Sequence, residues 1–595
     1  MKKLFRITTI ASLALFTTYS CSDEFLERPP QGQYSPIVTA TPEGIEALLV
    51  GAYGLLDGIG ANTTQWHGAV SNWVFGGIAS DDAYKGTDAG DQPEQTFIER
   101  YVWIPTNDHV KGKWKLLFDG IIRCNDVLAT LPKVQGLSDV RKKTLEGEAR
   151  FLRGFYYFEA KKMWNKVPYF DEKIYDSANP NSVKISNEPD IWPKIEADFA
   201  AASANLPDEF AGEPGRADKW AAKGMLGKTY LFQGFDVASG APNAAKLSLA
   251  KKEFDDIISS KKFKLVDNIG ENFLASNRNN AESIFEIQYS LTSTADGGGN
   301  QGDGLAWPYN NGPGGCCGFY QPSQNLVNAY KVDANGLPLL DNSNDVDLKS
   351  DAGIESNAAY TIGADNVDPR LDHTVGRRYI PYKDWGVTPG KDWIRDQAYA
   401  GPYIPKKHIA EKSKSGVSGW TNLNANNFRY LRFSHILLFA AECEVEVGDI
   451  NKAREYVNLV RERAGKPESM IMGRVVDFKA GNFKDPILDM TKTAANYDVK
   501  KYNAAWSDKV VARKAVRFEE RLEFAMEGHR FFDIVRWGIA ADVLNKYVDK
   551  EKTKRTYLNG AVFEKGKHEY YPIPLSEIVN SSIDGKPAYV QNPKY

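Results

Sequence analysis

The chain has 595 residues, of which 42% are hydrophobic and 12% aromatic, and its 74 basic and 77 acidic residues leave a formal net charge of -3. This balance provides no basic field of the kind that attracts nucleic acid, so the composition excludes that class of partner. The cysteines show neither a CxxC motif nor Cys/His spacing, and we expect no bound metal and no cofactor.

The N-terminus has the layout of an export signal. Basic residues precede an apolar run over residues 7–16, and small and polar residues then lead to Cys21. We interpret residues 1–20 as a secretory signal peptide. Cys21 is followed by a serine and two acidic residues, which predicts lipidation of Cys21 and a lipidated tether over residues 21–40. No later apolar run is long enough to cross a bilayer, so we expect the membrane contact to be an anchor.

The next part of the chain is predicted to be mainly helical. Thr41 and Pro42 suit the N-cap and the first turn of a helix, and apolar residues recur at helical spacing from Ile45 to Leu56. Similar patterns cover residues 66–78, 114–131, 140–164, 191–206 and 220–235.

Two segments resemble tetratricopeptide repeats, in which paired helices pack closely through small residues. Residues 222–258 contain small residues, a Leu-Gly pair and a tyrosine in the order of that repeat, and residues 438–460 provide a second copy. Because such pairs stack on their neighbours, we predict a curved helical scaffold made of residues 41–261 and 428–595.

Residues 262–427 lose the helical period and are rich in Gly, Asn, Asp, Pro and aromatic residues. We predict a large insertion of irregular loops and short strands packed against the scaffold, and long loops of this kind are usually functional. Trp307, Tyr309 and Tyr320 lie in it. An exposed ring stacks on the apolar face of a sugar while nearby amides and carboxylates bind its hydroxyls. Alternatively, these rings pin the loop to its own scaffold.

A second candidate binding segment is the loop at residues 79–95, where Asp82 and Tyr84 follow the end of a predicted helix. The candidate ligand-binding residues are therefore Asp82, Tyr84, Trp307, Tyr309 and Tyr320.

The remaining cysteines divide into two groups. Cys124 and Cys443 lie inside apolar helical patterns and are predicted to be buried thiols. The adjacent Cys316 and Cys317 either form a vicinal disulfide in an oxidising compartment or stay reduced, and the sequence leaves both possibilities open.

Residues 517–538 combine an apolar stripe with many charged side chains, and Gly528 is predicted to separate two short helices. The charges form either an acid/base site or local ion pairs within and between these helices. The ion-pair interpretation is favoured, because most such charges are solvated or paired.

The order of residues in this stretch closely resembles the C-terminal signature of the SusD/RagB family, the outer-membrane nutrient-binding lipoproteins of Bacteroidetes. Residues 148–170, 368–375, 432–442 and 569–595 also resemble motifs of that family. The resemblance therefore covers nearly the whole mature chain, and it implies a SusD-like fold.

The resemblance also implies a single SusD-like domain over residues 41–595 and a non-enzymatic lipoprotein on the cell surface, anchored in the outer membrane. Such a protein would capture oligosaccharides and deliver them to its partner, a SusC-type TonB-dependent transporter. In the family, ligand residues come largely from an early helix-to-loop segment and from the middle insertion. Residues 79–95 and 262–427 should therefore converge in space.

Two alternative functions remain. The same transport role with a peptide or glycoprotein cargo is implied by the RagB branch of the family. A surface glycoside hydrolase would use two carboxylates across the scissile bond, but no nucleophile elbow, HExxH, P-loop or GxGxxG context is present. We therefore predict that the protein is not an enzyme.

Overall fold

The computed structural model describes residues 39–60, 65–176, 182–291, 298–310, 312–418 and 421–595. The predicted signal peptide, the lipidation site at Cys21 and nearly all of the predicted tether lie outside these residues and stay predictions. Within the described ranges, no helix has both the length and the apolar character that a membrane span requires.

The described chain is mainly helical, which confirms the predicted fold class. The longer helices are α1 (Pro42–Gly54), α2 (Pro93–Glu99), α3 (Asp108–Thr130), α4 (Asp139–Trp164), α5 (Trp192–Asn205), α6 (Lys219–Phe232), α7 (Ala244–Ser260), α8 (Phe433–Val447), α9 (Ile450–Ala464), α10 (Lys509–Phe524), α11 (Arg530–Arg536) and α12 (Ala540–Glu551). Short helices occupy Gln65–Gly68, Gln324–Ala329, Arg370–Thr374, Gln397–Ala400 and Leu575–Asn580.

The strands in the described residues are short and pair two by two. They are β1 (Ala83–Gly86), β2 (Ser283–Ile287), β3 (Phe319–Pro322), β4 (Val375–Gly376), β5 (Ile404–Pro405), β6 (Ser415–Ser418), β7 (Thr421–Asn424), β8 (Phe428–Arg432), β9 (Met472–Phe478) and β10 (Pro486–Thr493). The antiparallel pairs are β1 with β3, β2 with β8, β4 with β5, β6 with β7, and β9 with β10.

Side-chain caps begin several helices where the sequence places them. Thr41 Oγ1 accepts the N–H of Gly44 at 3.0 Å, which confirms the predicted start of α1. The helix predicted over residues 66–78 is wrong in part. The structure has a short helix, a break and a π-helical segment from residue 73, because Asn72 adopts a left-handed conformation with φ 49°.

The two predicted helix pairs are α6 with α7 and α8 with α9, and they pack against each other through α7 and α8. A Cβ on Gly227 in α6 would lie 2.5 Å from Cε1 of Phe254 in α7, so only glycine allows this approach. Helix α8 also packs on α10. The early and late parts of the predicted scaffold are therefore in direct contact.

The charges of α10 form a buried ion-pair network. Glu523 forms ion pairs with Arg432 and Arg463, both at 2.5 Å, and with Arg370 at 3.2 Å. All four side chains are almost completely buried. The favoured ion-pair interpretation is right. Arg536 pairs with Asp533 within α11 at 2.9 Å and with Glu520 of α10 at 3.4 Å, while the partners of Glu523 come from chain segments outside these two helices. Losing one partner of such a buried pair costs about 3–5 kcal/mol, because the other charge stays buried and unpaired.

One buried apolar cluster runs from Ile45 in α1 to Ile573 near the C-terminus. Cys124 and Cys443 are free, buried thiols within it, as predicted. The boundaries between scaffold and insertion stay predictions.

Candidate ligand-binding surface

The two predicted binding segments meet through β1 and β3. Tyr84 pairs with Gln321 in the antiparallel register. The N–H of Thr87 donates to the carbonyl oxygen of Gly318 at 2.5 Å, so the pairing continues into the loops beyond both strands. The predicted convergence of residues 79–95 with the middle insertion is confirmed.

Asp82 directly precedes β1, and its side chain is buried. Arg521 donates from Nε to Oδ1 of Asp82 at 3.2 Å, and Arg530 binds both carboxylate oxygens of Asp81 at 2.8 and 3.1 Å. Burial opposes the ionisation of Asp81, but the two arginines outweigh it and lower the pKa of this carboxyl to about 2. These carboxylates therefore tie the loop to α10 and α11.

The predicted aromatic contacts Tyr84, Trp307 and Tyr320 are also buried, each with 0% of its surface exposed. The Tyr84 hydroxyl donates to Glu551 at 2.5 Å. The Trp307 ring packs edge to face against Trp385, with ring centroids 6.1 Å apart.

These positions disagree with the prediction that Asp82, Tyr84, Trp307 and Tyr320 contact a ligand, because in this structure at most 1% of each residue is exposed. Every residue of β1 and β3 is buried, so the side chains in and beside them fill the core. The alternative interpretation, in which the aromatics pin the loops to the scaffold, describes these residues.

Tyr309 differs from the other candidates because its ring is only half-buried. The Arg395 guanidinium lies 5.2 Å from the ring centroid. Arg395 is exposed and forms ion pairs of 2.7 Å with both Asp88 and Asp91. A half-buried ring, a guanidinium and two carboxylates therefore lie side by side at the surface, and the ligand role of Tyr309 stays a prediction.

Lys85 binds the backbone of the loop that carries Asp88 and Asp91. Its Nζ donates to the backbone oxygens of Asp88 and Asp91, both at 2.6 Å. Burial lowers the pKa of Lys85 to about 8, although nearby carboxylates oppose this shift. The same Nζ lies 5.1 Å from the centroid of the Tyr399 ring, which stacks on Tyr557 with centroids 4.2 Å apart. The loop is therefore held by a lysine that itself packs on a stacked pair of tyrosines.

A polar cavity of about 570 Å³ opens beside Arg395. It is lined by Asp88, Ala352, Gly353, Lys391, Arg395, Asp396, Gln397, Ala398 and Arg555. Arg555 donates to the carbonyl oxygens of Gln397 and Ala398 at 3.2 and 2.6 Å, and Lys391 pairs with Glu355. The cations already have partners, so the cavity suits a hydrogen-bonding ligand better than a highly charged one.

Sequence reasoning missed Arg395, Asp88 and Asp91. Asp88 and Asp91 lie within the predicted 79–95 loop, but no spacing distinguishes them from its other polar residues. Arg395 lies in the insertion, 304 residues after Asp91 in the chain. Only the fold brings these side chains together.

Cys316 and Cys317 are joined by a disulfide across a cis peptide bond, which decides between the two possibilities left open by the sequence. They lie in the loop between Tyr309 and β3, and Cys316 is half-buried. Because it joins adjacent residues, this disulfide closes only a small ring and links no distant parts of the loop.

Among the described residues, His435, Glu527 and His529 are the group whose ligand atoms come close enough to hold a metal ion, within 4.8 Å of one another. Nδ1 of His435 accepts the N–H of Arg432 at 3.1 Å, so in the neutral ring Nε2 carries the proton and has no free lone pair. Glu527 is already bound by Lys407 and Arg432. This group does not fit a metal site.

The protein is a scaffold of stacked helix pairs that carries a polar surface formed by loops. This architecture defines its class. The family model described as "SusD family" matches residues 281–595, and a model described as "Starch-binding associating with outer membrane" matches residues 26–231. The chain belongs to the SusD family.

Among curated relatives, "SusD-like protein P25" of Formosa agariphila is 22% identical over 593 residues, covering 95% of this chain and 94% of that protein. A "SusD-like protein" of Bacteroides ovatus is 27% identical over 292 residues, which covers 48% of this chain and 50% of that relative. The chain therefore matches one relative along nearly its full length and spans half the length of the other.

Solved structures have the same fold. A "Laminarin binding SusD-like protein" superposes with a TM-score of 0.64 and 22% identity, covering 93% of this chain and 100% of that chain. Surface glycan-binding protein A from Bacteroides thetaiotaomicron, in complex with laminarihexaose, gives a TM-score of 0.61 at 22% identity and covers 93% and 99% of the two chains. At this identity the likeness establishes the fold.

Proposed function

We propose that this protein is a non-enzymatic lipoprotein of the outer membrane that captures oligosaccharides at the cell surface and delivers them to a SusC-type TonB-dependent transporter. Membership of the SusD family supports this proposal, as do the relatives described as binding laminarin or laminarihexaose. The observation that carries it is the half-buried Tyr309 ring beside Arg395, Asp88 and Asp91.

The chemistry of this surface matches a neutral sugar. The Tyr309 ring offers an apolar face to the C–H groups of a pyranose. Stacking between two aromatic rings contributes about 0.5–1.5 kcal/mol beyond area burial, and we take this as the scale for the sugar contact. The carboxylates of Asp88 and Asp91 accept hydrogen bonds from hydroxyls, while Arg395 donates them. Arg395 is paired with both carboxylates and offsets one of their two negative charges, so the surface does not require a strongly charged ligand.

The anchoring part of the proposal rests on the sequence. The signal-like residues 1–20 and Cys21 precede the first described helix, so a lipidated N-terminus would keep the folded chain at the membrane surface. The family description that includes association with the outer membrane supports the same location.

A second candidate, transport of a peptide or glycoprotein, is favoured by one observation. Burial of Tyr84, Trp307 and Tyr320 leaves the loop surface with fewer aromatic faces than an extended sugar chain typically uses. The 570 Å³ cavity is lined largely by polar side chains that suit peptide groups equally well.

Binding of the mature protein to a glycan array and a peptide library tests the proposal, followed by calorimetry with the best ligand. We expect a glycan hit whose affinity falls about 3- to 10-fold in Tyr309→Ala, the range that the loss of one stacking contact gives. Tyr230→Ala removes a half-buried tyrosine from α6 and is the matched control. Binding to peptides alone would replace the glycan proposal with the second candidate.

A further inference from the structure

Another cavity in the described residues lies on the helical scaffold. It has a volume of about 920 Å³, and none of its lining residues lines the 570 Å³ cavity. Its walls come from the C-terminal end of α4, the start of α5, the end of α6, the segment that follows α6, α11, and the chain at residues 565–570. This volume is near the upper end of the range for small-ligand sites.

The floor of this scaffold cavity is aromatic and rigid. Trp192 and Phe232 line it and are half-buried, so part of each residue remains accessible. Phe532 lies deeper, with 3% of its surface exposed. The Phe232 ring is fixed by the Arg536 guanidinium, 5.6 Å from its centroid, and by an edge-to-face contact with Phe158 at 4.9 Å. Lys161 lies over the Trp192 ring at 5.7 Å in the same way, so the floor offers the aromatic surface that these cations leave uncovered.

Polar side chains surround the floor. Gln233 donates its amide N–H groups to Glu196 at 2.6 Å and to a backbone oxygen, which leaves its amide oxygen to accept. Asn592 uses its Nδ2 to bind the backbone oxygens of Trp164 and Tyr571, while its Oδ1 is buried with no hydrogen-bond partner among the described atoms. An unsatisfied buried acceptor costs about 1–3 kcal/mol, so the hydrogen-bonding capacity of this wall is not fully used within the protein.

The charges around the cavity are balanced. Lys162 pairs with Glu159 at 2.5 Å, and Lys161 pairs with Asp190 at 3.0 Å. Arg536 is bound by Glu442 at 2.7 Å. These three cations are therefore already paired. The lining also contains Lys565 and Lys567 together with Asp236 and Glu569, two charges of each sign, so it favours a ligand of neither charge. Ring faces below and hydrogen-bonding groups at the wall favour an uncharged, hydroxyl-rich ligand.

We propose that the scaffold cavity is a second oligosaccharide-binding site, independent of the loop surface. The inference rests on the proposed function, since it assigns the same class of ligand to a separate place. A second site would let one protein hold a long glycan chain at two points, or retain a second chain while the loop surface is occupied. Two linked contacts raise the overall affinity for a long glycan without any new contact at either site.

Ala238 allows the cavity to be blocked with little disturbance, because it is exposed and lines the cavity. Ala238→Trp places a large ring in the opening, and Ala200→Trp makes the same change at an exposed position of α5 outside the lining. Gln233→Ala removes a polar contact without filling space. The loop surface is disabled separately by Tyr309→Ala combined with Arg395→Ala.

Saturation-transfer NMR is then recorded for laminarihexaose, maltohexaose, cellohexaose and xylohexaose with the mature protein and each variant. We expect at least one hexasaccharide to keep a signal in the loop-surface variant. That signal should fall at least 5-fold when Ala238→Trp is added, fall partly with Gln233→Ala, and persist with Ala200→Trp. This pattern requires a second site in the scaffold cavity.

Loss of all signal in the loop-surface variant would overturn the second site and leave the proposed function standing. A residual signal that Ala238→Trp does not reduce would also overturn it, because the remaining sugar would be bound elsewhere. If the unchanged protein gives no signal with any of the four sugars, this inference fails for neutral hexasaccharides, and a glycan-array hit separates that outcome from failure of the proposed function.

Discussion

Arg521 in α10 donates to the carboxylate of Asp82, which lies 439 residues earlier in the chain, at 3.2 Å. The same guanidinium binds Asp81 at 3.0 Å. This contact fastens the loop that carries Asp88 and Asp91 to the helix that carries the family signature. The shape of the candidate binding surface therefore depends on a helix that contributes no side chain to it.

Replacement of Arg521 tests this dependence. Arg521→Ala leaves Asp82 buried without its partner, and we expect the free energy of unfolding to fall by about 3–5 kcal/mol, as is usual when one member of a buried pair is lost. Chemical denaturation measures the change. Lys552→Ala removes an exposed pair with Asp549 and should change stability by less than about 1 kcal/mol. Equal effects of the two substitutions would contradict the assigned role of Arg521.

Glycine is required at position 528. Gly528 has φ 73°, and a Cβ there would overlap the backbone oxygen of Ser71. Gly560 is the matched control, because it has φ 78° and no heavy atom within 4 Å of the added Cβ. Gly560→Ala should cost about 1–2 kcal/mol from the left-handed backbone alone, whereas Gly528→Ala should cost about 1–3 kcal/mol more. Thermal or denaturant unfolding of both variants measures the difference. Similar losses in the free energy of unfolding would show that overlap with Ser71 does not add to the cost at position 528.

The buried carboxyl of Glu159 predicts a loss of stability in acid. Burial alone would raise the pKa of Glu159, but Lys162 and Lys113 outweigh it and lower this pKa from 4.5 to about 2. Because the folded-state pKa is depressed, the stabilisation is fully present above about pH 4.5 and disappears as the pH falls toward 2. The difference corresponds to roughly 3 kcal/mol.

Denaturant unfolding of the unchanged protein and of Glu159→Gln, followed from pH 6 down to the lowest pH at which both fold, measures this effect. The stability difference between the two proteins should shrink steadily below about pH 4.5. A difference that stays constant over this range would show that the carboxylate of Glu159 is not preferentially ionised in the folded state.

The buried ring of Trp307 should act on stability rather than directly on ligand affinity. Trp307→Ala creates a cavity where the ring is 0% exposed, and we expect a loss of about 3–5 kcal/mol in the free energy of unfolding. Trp307→Phe should recover much of this loss and bind the ligand as the unchanged protein does. If Trp307→Phe kept full stability but lost binding, the prediction that Trp307 contacts the ligand would be supported instead.

The sequence predicted the helical scaffold well because its information is local. Helical spacing and capping residues predict α1, and the Leu-Gly pair at residues 226–227 predicts the close contact with α7. The exposure of an aromatic ring is a different matter, since it depends on what packs above it. Trp307 and Tyr309 lie two positions apart with similar neighbours, and only the folded loop buries the first and leaves the second accessible.

The ion pairs of α10 and α11 also make an early loop of the chain depend on residues near its end. Asp81 and Asp82 are synthesised long before Arg521 and Arg530, the residues that make their burial tolerable. A nascent chain emerging N-terminus first therefore cannot complete its binding loop until almost its last helices appear. Products cut short before residue 521 would keep these two carboxylates in water, with the loop unassembled, and such incomplete chains should be poor competitors for glycans.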